Sequence, residues 1–551
     1  MVKRKGSSSD DVAKNVTKKV KKVSDVNEQK ESKLNYTSCE SVMSSLLQPI
    51  SVKTFFEEFW EKKPLYIKRE NSGYYGDLFS LSSMKEILAA HELEFETDVN
   101  VCRYVDNEKE LLNEDGCLTV DKFDKLMNDK HATFQLHQPQ RYGTVLWQLM
   151  EKMETYFGCL VGSNVYITPK ESQGLAPHCD DVEVFILQLE GTKHWKLYKP
   201  MVELSRDYTQ DLSQDSIGKP IMELTLEPGD LLYFPRGTIH QARSVGESYS
   251  THITLSTYQN NTLGDFMSIA VSQAIESALE NDVSFRRGLP INYLSYLGTA
   301  KNFSKYFDED GKESKLSSNE NNEKVKKFKD SVKKHLSKLI DHIDVNTAAD
   351  MMSYDFMASR LPPFGHVVKE EQLNEFKSPT LDSKIKLRYP EHVRPVYYDQ
   401  EETDEADNTV GDDDSEDEEE ETVKKDEDEK NEEKDEKSPK SNKKSSDKKD
   451  TSMEGNEDEE DEDDDDASVH DDEPCIKIVH SLNNNRETHM SGHDLSRDVF
   501  SLKLPIHFAQ AITSVMNSND FICVRDLPLD DDEDKLQLAT SLYSDDLIEI
   551  K

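Results

Sequence analysis

Three residues could bind one metal ion: His178, Asp180 and, farther along the chain, His240. In an extended strand the side chains at positions i and i+2 point to the same face, so His178 and Asp180 could contact one ion from one strand. His240 would come from a partner strand. Two neutral imidazoles and one carboxylate on one side of a metal, with other positions open, are the ligand set of non-haem Fe(II) oxygenases. The alternative is a strand histidine, a surface aspartate and a core histidine with no metal between them.

The flanking sequence predicts the strands that would position these ligands. Residues 182–189 are mostly β-branched, apolar or aromatic, which indicates a buried strand, and residues 193–198 would return after a turn at Gly191. Residues 227–230 (Glu-Pro-Gly-Asp) form a turn sequence between further strands, and residues 250–257 are typical of another strand. Short antiparallel strands with Pro/Gly turns predict a double-sheet jelly roll with the metal site in its mouth.

Two further features predict a cavity beside the ligands. Asn164, Tyr166 and Thr168 alternate with apolar residues, so they share one face of a strand that either lines a cavity or faces solvent. Lys193 follows the buried strand. A lysine near a buried pocket is costly unless it contacts an anion, and a dicarboxylate cosubstrate would supply one. A solvent-facing lysine at a turn is the alternative.

Longer runs of the sequence resemble the Jumonji-C ribosomal oxygenases. The resemblance covers most of the chain outside the N-terminal tail and one acidic stretch. Its motifs are residues 55–64, 162–169, 177–185, 228–242, 256–261 and 485–490.

The resemblance implies an α+β fold with a JmjC double-stranded β-helix, and it implies the cofactors Fe(II), 2-oxoglutarate and O₂. It further implies hydroxylation of a histidine in a large-subunit ribosomal protein during ribosome biogenesis. His178, Asp180 and His240 fall on the family's iron ligands. Lys193 falls where a basic residue pairs with the distal carboxylate of 2-oxoglutarate, and Thr168 lies near the hydroxyl that assists it.

The resemblance also implies where the target side chain is held. Asn164, Tyr166 and Ser256 fall at those positions, and their polar groups suit an imidazole, which offers one donor and one acceptor when neutral. A trimethylammonium group is usually held by an aromatic cage. Histone lysine demethylation by the same iron chemistry is the catalytic alternative, and a non-catalytic nuclear scaffold is a third reading. Cys179 departs from the expected aromatic residue, and strand alternation turns it away from the metal as a buried thiol.

Composition limits the setting of the chain. Its 551 residues allow about three domains of roughly 150 residues each. No apolar run is long enough to predict a membrane span, and the start lacks an apolar signal segment. Seven cysteines without C-x-x-C pairs fit a reducing compartment. The opening residues 1–33 carry ten Lys/Arg against five Asp/Glu, which is typical of a nuclear import signal or of a generic disordered tail. We expect placement in the nucleus and nucleolus.

The net charge of −43 is concentrated in one segment. Residues 399–473 hold 39 acidic and 10 basic residues, a net charge of −29, so the remainder holds −14. Such a segment is too polar to fold. It is predicted to be an insertion, because the sequence predicts strands at 387–389 and 476–479 on its two sides. It either attracts basic ribosomal proteins or histones weakly, or it is a solvated spacer.

The remaining sequence predicts two smaller domains. Apolar residues at helical spacing occur around 266–279 and 332–343, and a third helix is predicted at about 348–360. The resemblance implies that these helices form a homodimerisation domain. The C-terminal region resembles a winged helix. It combines strands, a predicted wing at 483–485 and helices near 506–516 and 534–544. Residues 474–551 hold 13 acidic and 7 basic residues, so direct DNA binding is not expected.

The predicted boundaries follow from these features. They are a disordered basic tail (1–36), a JmjC jelly-roll catalytic domain (37–262), a helical dimerisation domain (263–365), a winged-helix-like domain (366–398 and 474–551) and an acidic disordered insertion (399–473).

Overall fold

The computed structural model describes residues 33–298, 323–366, 378–398, 474–490 and 499–551. The predicted acidic insertion and residues 1–32 of the predicted basic tail lie outside the described residues. None of the helices within the described ranges is long and apolar enough to cross a membrane.

Residues up to 262 contain thirteen strands and five α-helices within the described range. The helices are α1 (Cys39–Leu47), α2 (Val52–Glu58), α3 (Leu81–Ala90), α4 (Val120–Asp129) and α5 (Thr144–Phe157). The strands are β1 (Leu65–Ile67), β2 (Leu93–Glu94), β3 (Val99–Val105), β4 (Glu108–Leu111), β5 (Cys117–Leu118), β6 (Thr133–His137), β7 (Val161–Thr168), β8 (Glu183–Glu190), β9 (Thr192–Tyr198), β10 (Met222–Leu226), β11 (Leu231–Phe234), β12 (Ile239–Val245) and β13 (Ser250–Thr257).

Two antiparallel sheets form the jelly roll. The larger has the strand order β1-β11-β8-β13-β7-β6-β3-β4 and the smaller has the order β10-β9-β12. β8 lies between β11 and β13 with a hydrophobic core on each of its faces, so its first six residues are buried, as its largely apolar sequence predicted. The outer face of the larger sheet packs on α1 and α5 in the main hydrophobic core.

The predicted strands at 182–189, 193–198 and 250–257 are confirmed, but the pairing of the first two is not that of a hairpin. β8 belongs to the larger sheet and β9 to the smaller one. Gly191 makes this switch with φ of 58°, and a Cβ there would lie 1.8 Å from the carbonyl oxygen of Tyr249. Glycine is therefore required for the chain to cross between sheets.

In the described parts of the next region, 263–298 and 323–366, three α-helices follow: α6 (Leu263–Asn281), α7 (Glu323–Leu339) and α8 (Val345–Ser359). α6 begins with a capping box between Thr262 and Asp265. α8 begins three residues before the predicted start, because the Asp344 carboxylate accepts hydrogen bonds from the first backbone N–H groups.

The C-terminal region has its own core of apolar residues. Its strands are β14 (Lys384–Leu387), β15 (Val393–Tyr398), β16 (Cys475–His480), β17 (Ser501–Pro505), β18 (Ile522–Cys523) and β19 (Ile548–Ile550), and its helices are α9 (Ala509–Met516) and α10 (Asp532–Ser544). Arg388 and Tyr389, predicted as strand, follow the end of β14. At the predicted wing, Asn484 Nδ2 donates instead to the carbonyls of Met357 and Arg360 at the end of α8.

Candidate metal centre

The three predicted ligands converge on one point. Nitrogen and oxygen atoms of His178, Asp180 and His240 all lie within 4.8 Å of one another. His178 Nε2 lies 4.0 Å from Asp180 Oδ1, and His240 Nε2 lies 3.7 Å from Asp180 Oδ2. Such spacings leave room for one ion at the centre of the three groups.

Backbone carbonyls fix the orientation of both imidazoles. His178 Nδ1 lies 2.9 Å from the Ala176 oxygen, and His240 Nδ1 lies 3.0 Å from the Thr238 oxygen. Each Nδ1 therefore carries the proton and donates, which leaves the Nε2 lone pair free for a metal. Burial, with His178 nearby, lowers the pKa of His240 to about 4, so this imidazole is neutral at physiological pH. The donor set fits one divalent transition-metal ion.

His178 and Asp180 do not lie in a regular strand, contrary to the prediction. His178 pairs with His240 through one isolated antiparallel bridge, with backbone hydrogen bonds of 3.1 and 2.8 Å in the two directions. The backbone of Cys179 forms hydrogen bonds with that of Thr209 instead. The Cys179 thiol is buried away from the metal site, as predicted. Asp180 is held by its carbonyl oxygen, which accepts from Gly237 N at 2.8 Å.

A buried ion pair supports the two ligand-bearing segments. Glu183 opens β8 just after Asp180, and its carboxylate accepts from Arg236 Nη1 at 3.0 Å and from the Tyr233 hydroxyl. Arg236 also contacts Glu61 at 2.6 Å. Burial raises the pKa of Glu183 to about 6, although Tyr233 and Arg236 oppose that rise. The pair joins β8 to the turn that leads into β12.

The ligands open onto a cleft between the two sheets. Lys193 lies inside this cleft and only 5% of it is exposed. Its Nζ lies 3.1 Å from Thr168 Oγ1 and 3.4 Å from His252 Nδ1, and no carboxylate among the described residues forms an ion pair with it. Burial lowers the pKa of Lys193 to about 7. A buried ammonium group with only neutral neighbours is suited to binding an anion.

The predicted polar face of β7 points into the same space. Tyr166 lines the cleft and stacks on His252, with ring centroids 4.9 Å apart. Asn164 and Ser256 lie farther along this face, outside the residues that line the cleft. Asn164 Oδ1 lies 3.2 Å from His137 Nδ1, which restrains its side chain. The structure thus groups Lys193 with Thr168 and places Asn164 and Ser256 toward the opposite end of that face.

Several cleft residues were not predicted from the sequence. They are Thr133, Trp195, His252 and Thr254. For His252 and Thr254 a signal exists, because His252, Thr254 and Ser256 alternate with the apolar Ile253 and Leu255 along β13. This is the same alternation that identified β7. Trp195 shares its strand face with Lys193, two residues away.

Comparison with known proteins identifies the family. The family model described as the JmjC domain matches residues 135–263, which include all three ligands. A mouse protein named Ribosomal oxygenase 2 is 38% identical over 525 residues, covering 94% of this chain and 93% of the mouse protein. The chain belongs to the ribosomal oxygenase family.

Other members are similar over shorter spans. Ribosomal oxygenase 1 of Danio rerio is 37% identical over 326 residues, covering 58% of this chain and 56% of that protein. A Dictyostelium discoideum protein, named Bifunctional lysine-specific demethylase and histidyl-hydroxylase NO66, is 36% identical over 350 residues, covering 63% and 65%. The Escherichia coli ribosomal oxygenase YcfD, solved with cobalt and 2-oxoglutarate, aligns at 15% identity with a TM-score of 0.35, covering 62% of this chain and 80% of YcfD.

Proposed function

We propose that this ribosomal oxygenase is an Fe(II)- and 2-oxoglutarate-dependent dioxygenase that hydroxylates a histidine of a large-subunit ribosomal protein. The observation that carries the proposal is the His178–Asp180–His240 cluster, which opens onto a cleft that contains the buried Lys193, a lysine without a carboxylate partner among the residues that the structure describes. The names of the relatives support the substrate class.

The metal ligands and the residues around Lys193 would have separate tasks in this reaction. His178, Asp180 and His240 would hold the iron, which with 2-oxoglutarate and O₂ supplies the oxidising chemistry when bound. Lys193 would donate a charge-assisted hydrogen bond to the distal carboxylate of 2-oxoglutarate, and Thr168 would direct the ammonium group toward it.

The remaining residues orient the protein substrate and exclude water. Burial raises the pKa of Tyr166, so its hydroxyl remains a neutral hydrogen-bond donor and acceptor. Asn164 and Ser256 would hold the target ring at the open end of the polar face. Fixing the target C–H bond near the iron supplies the orientation that the reaction requires.

Mass spectrometry of ribosomal-protein digests tests this proposal. We expect cells with the protein to show a histidine that gains one oxygen atom, and cells with His240→Ala to lack it. His194→Ala is the matched control, because His194 lies on the outer face of β9 against Glu223 and should leave hydroxylation intact. Loss of a lysine methyl group would indicate demethylation instead, and no change would indicate a non-catalytic role.

We further propose that the chain forms a homodimer through its helical region. Apolar side chains remain exposed there in the monomer, including Leu263 (74%), Leu336 (55%) and Ile340 (66%). Large exposed apolar surfaces commonly mark interfaces. Sedimentation of the wild type and of Leu336→Asp tests this. The wild type should sediment as a dimer and Leu336→Asp as a monomer, whereas a monomeric wild type that the substitution leaves unaffected would contradict the proposal.

The basic N-terminal residues support a nuclear and nucleolar location. Microscopy of tagged protein with and without residues 1–33 tests that location, because loss of the segment should reduce nuclear accumulation.

A further inference from the structure

The run Asn485–Met490, one of the motifs in the resemblance, has no part in the metal centre. Yet it leaves the C-terminal region and reaches the strand that carries the polar face. Arg486–Thr488 forms a short 3-10 helix, after which His489 is buried and Met490 is half-buried. The contacts of these two residues give the motif a role.

His489 fixes the motif to the catalytic domain through one hydrogen-bond chain. Ser163 Oγ donates to Gln140 Oε1 at 2.7 Å, and Gln140 Nε2 donates to His489 Nδ1 at 2.8 Å. His489 Nε2 then donates to Glu154 Oε1 at 2.8 Å. In this direction each donor meets one acceptor. This series of hydrogen bonds joins β7, α5 and the C-terminal region.

Met490 is held in an unfavourable backbone conformation. Its φ is 57°, and that of the neighbouring Gln138 is 41°. Non-glycine residues adopt this left-handed region at a cost, so surrounding contacts must maintain it. One such contact is the bond from Gln138 Nε2 to the Met490 carbonyl oxygen, at 2.7 Å. Residues held this way concentrate at functional sites.

The Met490 side chain lies at the outer end of the polar face of β7. Gly162 shares that face with Asn164 and Tyr166. A Cβ at position 162 would lie 2.9 Å from Ser256 Oγ and 3.4 Å from Met490 Sδ. The thioether and Ser256 Oγ therefore both border the space beside the Cα of Gly162, and Ser256 is one of the residues proposed to hold the target.

We infer that Met490 determines substrate specificity by contacting the residue beside the hydroxylated one. A thioether is apolar, flexible and polarisable, so it favours an apolar side chain at that position of the substrate. His489, Gln138 and Gln140 act as positioning residues for it. The inference rests on the proposed function, because it concerns the substrate of the same site.

Steady-state kinetics with peptides test the inference. The probes are two peptides that share one target histidine and differ only at the residue beside it, which is leucine in the first and serine in the second. For Met490→Ala we expect KM for the first peptide to rise about fivefold, with kcat and the KM for 2-oxoglutarate unchanged, because one apolar contact is lost. The serine peptide should show a much smaller difference between the two enzymes.

Two controls separate specificity from folding. Met490→Leu, which keeps the apolar volume, should restore the low KM, and Met201→Ala, at an exposed methionine, should match the wild type. An unchanged KM in Met490→Ala would overturn the inference. So would equal losses for both peptides accompanied by a weaker affinity for 2-oxoglutarate or a lower melting temperature. Absence of hydroxylation by the wild type would refute the proposed function instead.

Discussion

Replacing Lys193 with methionine removes the buried charge and keeps most of the volume of the side chain. The charge-assisted bond to the distal carboxylate contributes about 1.5–3 kcal/mol. At about 1.4 kcal/mol per factor of ten, its loss should weaken 2-oxoglutarate binding about ten- to hundredfold. The iron ligands lie elsewhere in the cleft, so metal affinity should remain. Lys196→Met is the matched control, because Lys196 lies on the outer face of the same strand and pairs with Glu223.

The pKa of Lys193 adds a pH dependence to this prediction. Burial lowers that pKa from 10.5 to about 7, whereas a bound carboxylate favours the protonated form. Above pH 7 the cosubstrate must therefore bind together with a proton, and its affinity should fall by up to about tenfold per pH unit. In the free protein the unfolded chain binds more protons between pH 7 and 10.5, so Lys193 makes stability rise with pH across that window.

Calorimetric titration of 2-oxoglutarate into the metal-loaded protein at several pH values measures both effects. Wild type and Lys196→Met should lose affinity as the pH rises above 7, and Lys193→Met should bind weakly at every pH. Wild-type affinity in Lys193→Met, or an affinity independent of pH in the wild type, would refute the role of Lys193.

Other measurements test a metal ligand, the buried ion pair of Glu183 with Arg236, and two buried histidines. His240→Ala should lose bound iron, as measured by elemental analysis of the purified protein. Full retention of iron would show that His240 is not a ligand. Glu183→Gln should weaken the bond to Arg236 and lower the free energy of unfolding by about 1–3 kcal/mol, as measured by denaturant titration; an unchanged midpoint would show that this pair contributes little. Burial lowers the pKa of His392 and of His480 to about 4. Both should therefore be neutral in the folded protein and should cost stability as the pH falls from 6.5 toward 4, by at most about 1.4 kcal/mol per pH unit for each histidine. A free energy of unfolding that stays constant from pH 7 to pH 5 would contradict this assignment.

Local patterns in the sequence predicted the elements that carry the site. The apolar run of β8 and the alternation along β7 and β13 depend on neighbouring residues only, so they can be read without a structure. His178 and Asp180 were predicted together for the same reason, because they lie two residues apart, whereas His240 lies far along the chain and was predicted from its residue type and flanking sequence. Their residue types and spacing limit the chemistry before any strand is placed.

Long-range pairing was the part that the sequence could not supply. β8 and β9 read as a hairpin, but Gly191 sends them into different sheets, a choice made by partners far along the chain. The contact of Lys193 with Thr168 and the approach of Met490 to Gly162 join segments that no local period relates. The irregular backbone at His178 arises likewise, because Thr209 takes the hydrogen bonds of the adjacent Cys179.

A crystal structure of the protein, grown anaerobically with Fe(II) and 2-oxoglutarate, would test the iron site and the role of Lys193 directly. Anomalous scattering would locate the iron. We predict a single iron bound by His178, Asp180 and His240, with the distal carboxylate of 2-oxoglutarate on Lys193. Iron bound through other side chains, or a carboxylate that avoids Lys193, would contradict the account.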